Sequence, residues 1–87
     1  PGSSPTLSLP FIIALAVRSM RLTPAEAITA TTVNAAAVLG LDGDRGSLES
    51  GARADLQMLA TSDERSLAYE YAHPGPDAVW IAGRRVV

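Results

Sequence analysis

Apolar residues crowd the chain from Leu9 to Val17, in "LPFIIALAV", with no polar stripe to break them. Ser8 stands ahead of them as an N-cap, and Pro10 suits the first turn, where its missing N–H would be unpaired anyway. The pattern predicts a helix whose apolar surface runs nearly all the way round, and such a helix expects burial on more than one face. Arg18 and Arg21 fall near its C-terminal end, where positive charge suits the helix dipole.

The next stretch, "LTPAEAITATTVNAAAVLGL", carries the clearest local signal. Thr23 is followed by Pro24 and then by Glu26, three positions on, which is a capping box with proline at the first helical position. Gly40 supplies the C-terminal stop. The β-branched run Thr31-Thr32-Val33 predicts a break, with Thr31 or Thr32 capping a second short helix that runs to Leu39. The surrounding alanines allow close approach to neighbouring backbone.

Beyond Gly40 the periodicity changes. "LDGDRGSLESGARADLQMLA" has glycines at 43, 46 and 51 between acidic and serine residues, which reads as turns and then a strand from about Arg53 to Ala60. "TSDERSLAYEYAHPGP" is polar and proline-containing, a long loop over 61–76 with at most one helical turn. "DAVWIAGRRVV" gives two short β segments around Gly83, a hairpin candidate. Two or three strands leave exposed edges, so a partner outside these residues is expected to complete the sheet.

Composition narrows the classes. With 87 residues there is room for one small domain or a piece of a larger one. Cysteine is absent, which excludes a disulfide framework and a thiolate metal site, and one histidine cannot make a His-rich site. A net charge of −2, with all seven basic residues arginine and mostly scattered, gives no electrostatic reason to expect nucleic acid. The longest apolar run, Pro10 to Val17, falls well short of the ~20 residues that span a bilayer. No basic segment precedes it as in a secretion signal.

The opening "PGSSPTLSLP" reads as a loop that follows a strand and leads into a helix. Together with "FIIALAVRSMRLTPAEA", "GSLESGARADL" and the closing "VWIAGRRVV", it makes the chain resemble the C-terminal part of the imidazolonepropionases. These are metal-dependent hydrolases of the amidohydrolase superfamily. The resemblance implies an α+β fragment: the last helices of a metal-dependent hydrolase (β/α)8 barrel, followed by strands of a small composite β-sandwich domain. Residues 1–40 would be the end of the barrel, and 41–87 would be strands of the small β-domain.

The implied reaction opens the ring of 4-imidazolone-5-propanoate to N-formimidoyl-L-glutamate in histidine degradation. A divalent zinc or iron would lower the pKa of a bound water and polarise the ring carbonyl. By the same resemblance the metal ligands and the acid–base aspartate belong upstream of Pro1, so this chain is expected to bind no metal and to be inactive by itself. Gly2 and Ser3 match substrate-contacting positions: Gly2 lets backbone approach a ligand, and Ser3 offers a hydroxyl. The implied partners are the imidazolone substrate, the rest of the barrel and small β-domain, and a second copy in a homodimer. Neither nucleic acid nor membrane is expected, and the compartment the resemblance implies is cytoplasmic.

One stretch departs from the pattern: Glu70 follows Tyr69 where relatives carry a histidine, and "HPGP" differs from their loop. The remaining candidates have plain structural readings. His73 reads as a loop histidine, Ser47 and Ser50 as turn residues without a histidine–acid partner, and Asp55 as an acceptor for local backbone. Trp80 reads as packing between the small domain and its neighbour, and Arg84-Arg85 as a solvated hairpin tip. Two alternatives stay open: a piece of another amidohydrolase, such as a deaminase or cyclic-imide hydrolase, and a stand-alone interaction module without activity.

Overall fold

A computed structural model describes residues 3–87 as four helices and a three-stranded antiparallel sheet. The helices come first. α1 spans Leu9–Met20, with the Ser8 hydroxyl accepting from the Phe11 N–H at 3.3 Å. Its end is a left-handed Arg21 (φ 61°), whose N–H returns to the Ala16 carbonyl. α2 spans Pro24–Thr31, and its capping box is complete: Glu26 N–H donates to Thr23 Oγ1 at 3.2 Å, and Thr23 N–H to Glu26 Oε2 at 3.0 Å.

The break after α2 falls where the β-branched run predicts it, by a different device. Neither Thr31 nor Thr32 caps α3 (Val33–Val38) through its side chain. Both hydroxyls turn backward instead, Thr31 to the Ala27 and Ile28 carbonyls and Thr32 to the Ile28 carbonyl at 2.7 Å. Back-bonding of this kind satisfies the last carbonyls of a helix and bends the chain out of it. α3 closes as the glycine signal predicts. Gly40 (φ 72°) sits past its end, while Leu41 N–H reaches the Ala36 carbonyl and Gly40 N–H the Ala37 carbonyl.

The strands are shorter than their sequence pattern. β1 is only Leu56–Met58, because Arg53, Ala54 and Asp55 are engaged elsewhere: Arg53 N–H donates to the Asp44 carbonyl, and Ala54 O accepts from Gly83. A single helical turn, α4 (Ser66–Tyr69), interrupts the 61–76 loop. β2 (Ala78–Ile81) pairs with β1, placing Leu56 opposite Trp80, and with β3 (Arg84–Arg85), placing Trp80 opposite Arg85. Ala82 and Gly83 form the two-residue hairpin tip, both with positive φ (51° and 79°), as a type I′ turn requires.

Packing separates into two clusters. Ile13, Ala27 and Leu67 form the buried centre of the helical part, flanked by Val17, Leu22, Ile28 and Leu59, so the turn within the 61–76 loop folds onto α1. As its apolar surface predicts, α1 is covered on more than one side, though not completely. Ile13 and Ala14 are buried and Phe11, Leu15, Ala16 and Val17 half-buried, with α2 and α4 packing against the helix, while Leu9, Ile12 and Met20 are exposed. The second contact joins α3 to the turn after it. A Cβ built on Gly46 (φ 96°) would lie 2.8 Å from Ala36 Cβ and 3.0 Å from the Thr32 carbonyl oxygen.

That approach yields a comparison of two glycines. Gly46→Ala combines an unfavourable φ with a clash and is expected to destabilise by about 3 kcal/mol in chemical denaturation. Gly43→Ala has a similar φ (83°) but open space, and its cost is expected near 1 kcal/mol. Equal losses would show that Gly46 is needed for its backbone conformation alone.

Candidate functional site

Of the two substrate-contact positions expected from sequence, Gly2 lies outside the described residues. Ser3 is exposed at a bend, six residues before α1 begins. From Ser3 the chain runs without regular structure to the Ser8 cap, so residues 3–8 form a loop at the N-terminal end of α1. No acidic residue occupies the first turn of α1.

The other candidate side chains resolve into structural roles. His73 Nδ1 accepts the Gly75 N–H at 3.0 Å, which shapes the turn. Ser47 and Ser50 line a polar hollow of about 320 Å³ together with Asp42, Arg45 and Glu49, and no histidine lines it. Trp80 lines a larger open groove of about 750 Å³ between α3 and the sheet, whose other walls include Ala35, Leu39, Leu48 and Leu56. Arg84 and Arg85 are not the hairpin tip. They form β3, with Arg85 lying over the Trp80 ring (5.8 Å to its centroid) and donating to the Val87 carbonyl.

Asp55 corrects its sequence reading as well. Its acceptor role is real, but its backbone partner is remote: Oδ1 accepts the Ala82 N–H at 2.7 Å, across 27 residues. Oδ2 meets Arg45 Nη1 at 3.0 Å. Arg45 also chelates Asp44 Oδ2 through Nε and Nη2 at 3.1 and 2.8 Å, and Arg53 Nε reaches the same oxygen at 3.0 Å. Hydrogen bonds from Arg45 first, and then from Arg53, hold the Asp44 carboxyl below its ordinary 3.8. Sequence reasoning missed this network, although the alternation of Asp44-Arg45 with Arg53 and Asp55 in one turn-rich stretch was its visible trace.

The described residues do not compose a metal centre. No group of three or more His, Cys, Asp or Glu side chains converges among them, the one histidine has committed Nδ1 to Gly75, and Asp44 and Asp55 are engaged by arginines. A metal of the kind the resemblance implies would have to be held by residues other than these.

Residues 3–86 match the Amidohydrolase family. The chain belongs to that family. It is similar to the imidazolonepropionase of Solibacter usitatus, with 49% identity over 86 residues, covering 99% of this chain and 21% of the relative. The imidazolonepropionase of Deinococcus deserti is 54% identical over 86 residues, again 99% of this chain and 21% of the relative. That of Streptomyces griseus is 51% identical over 87 residues, 100% of this chain and 22% of the relative. The chain thus spans about a fifth of the length of the curated relatives it matches. Among its described residues, no helix is long and apolar enough to cross a membrane.

Electrostatics predicts one measurable titration in this amidohydrolase chain. The Arg65 side chain, and after it the Arg65 backbone N–H, holds the Asp63 carboxyl down from 3.8 to about 2. Because the folded value is depressed, the contribution to stability is complete above the unfolded value near 4 and is lost as pH falls toward 2. A carboxyl-carbon NMR titration of Asp63 is expected to give a midpoint near 2, and Arg65→Met is expected to move it upward. An unchanged midpoint in the variant would remove Arg65 as the cause.

Proposed function

We propose that this chain is the C-terminal part of an imidazolonepropionase. That enzyme hydrolyses the cyclic amide of 4-imidazolone-5-propanoate: water adds across the ring C–N bond, which breaks to give N-formimidoyl-L-glutamate. The observation that carries the reading is identity near 50% over the whole chain to imidazolonepropionases of several distant organisms. On this reading residues 1–40 end a (β/α)8 barrel, with α1 as its last helix, and residues 41–87 belong to a small β-sandwich. The exposure of Leu9, Ile12, Val38, Leu39, Leu48 and Ile81 supports such a division of labour, since these side chains form contact surface for the remainder of the polypeptide.

The zinc or iron and the acid–base aspartate sit on that remainder, in a cytoplasmic enzyme that pairs with a second copy. This chain contributes positioning. Gly2 brings backbone close to the ring, and the Ser3 hydroxyl hydrogen-bonds the substrate from a loop held by the Ser8 cap of α1. Loops at the C-terminal ends of barrel strands are where barrel enzymes place such contacts.

The test is kinetic, on the full-length protein that carries this chain. It is expected to hydrolyse imidazolonepropionate, and Ser3→Ala is expected to lower kcat/KM about tenfold, the worth of one good hydrogen bond to the substrate, without shifting the melting temperature. The 87 residues alone are expected to give no turnover. Activity confined to a cyclic imide or to a deaminase substrate would replace the substrate assignment with another amidohydrolase reaction.

A further inference from the structure

The hairpin tip carries a conformational burden that its own residues do little to relieve. A type I′ turn asks for positive φ at both central positions, and asparagine or glycine usually supplies it. Here Ala82 takes φ 51°, a conformation in which its Cβ is crowded, and only Gly83 is at ease. Two hydrogen bonds from outside the hairpin meet the tip. Ala82 N–H donates to Asp55 Oδ1 at 2.7 Å, and Gly83 N–H to the Ala54 carbonyl at 3.0 Å. The second oxygen of Asp55 is held in turn by Arg45 at 3.0 Å, and Arg45 lies in the turn that follows α3. One residue further on, Gly46 presses directly on Ala36 and Thr32.

We propose that the Asp55 carboxylate is a latch that couples the β2–β3 hairpin to the turn after α3, with Arg45 as the residue that positions it. Arg45 touches no atom of the hairpin tip in these contacts; it acts by fixing the Asp55 side chain so that Oδ1 points at the Ala82 N–H. Asp44, shared between Arg45 and Arg53, steadies the guanidinium from the other side. The latch makes the edge of the sheet and the α3 region one cooperative unit, although α3 and the strands are separate in the chain. Conformational order then passes between them through three side chains.

Amide hydrogen exchange on the full-length protein reads this coupling residue by residue. Asp55→Ala is expected to speed exchange at Ala82 and Gly83 by about tenfold or more, as loss of a charge-assisted hydrogen bond implies. The deciding variant is Arg45→Met, which keeps much of the aliphatic stem and leaves every hairpin atom in place. It is expected to speed exchange at the same two amides by about threefold or more, and to change little further when added to Asp55→Ala. Unchanged exchange at Ala82 and Gly83 in Arg45→Met would overturn the latch and leave Asp55 as an acceptor for the tip alone. Should Asp55→Ala fail to fold, Asp55→Asn preserves an oxygen acceptor while weakening the Arg45 pair, and its exchange is expected to match that of Arg45→Met; wild-type protection would equally overturn the proposal.

Discussion

Small side chains at the points of contact govern how this chain is put together. Ala14, Ala27 and Ala78 have essentially no exposure, Ala36 and Ala68 little more, and only Ile13 and Leu67 add larger buried groups. An alanine removes little apolar area from water when buried, so each contact contributes modestly to stability. What alanine does allow is close approach. α2 reaches α1 through Ala27, and the turn at Gly46 reaches α3 through Ala36. The geometry is therefore demanding, while the burial behind it is slight.

Large apolar side chains are consequently left over. Among the described residues no large side chain is fully buried, whereas Leu7, Val38, Leu39 and Leu48 are each more than two-thirds exposed. α1 shows the same imbalance within one element, with Ile13 and Ala14 buried and Leu9, Ile12 and Met20 exposed. The chain belongs to the amidohydrolase family and spans about a fifth of the length of the relatives it matches, and the proposal that these side chains meet further polypeptide rests on that.

Polar groups supply the precision that sparse burial does not. The Thr23–Glu26 box starts α2, the Thr31 and Thr32 hydroxyls end it, and the Gly40 motif ends α3. Between the helices and the sheet, Arg45 and Asp55 span the gap. On the far side Arg18 lies over the Tyr71 ring and donates to the Tyr69 carbonyl, while Phe11 meets Tyr71 edge-on, which pins the loop containing α4 along α1.

The local code was legible where one residue's chemistry acts within a few positions. Ser8, Pro24, Glu26, Gly40 and Gly83 announced two helix starts, one stop and a hairpin, because caps and turns are settled by hydrogen bonds between near neighbours. The resemblance carried by the four quoted motifs pointed to the family, and residues 3–86 match it. Contacts between distant residues were not legible. That β1 shrinks to Leu56–Met58 and that Asp55 serves Ala82 instead of its own neighbours depend on what the fold places opposite them, whereas the Thr31 and Thr32 back-bonds are local and show that two nearby partners competed for the same hydroxyls. Sequence alone determined where this chain turns and which of its faces are apolar. Tertiary structure decided which of those faces are covered and which carboxylate meets which arginine, because both depend on distances between residues that only folding brings together.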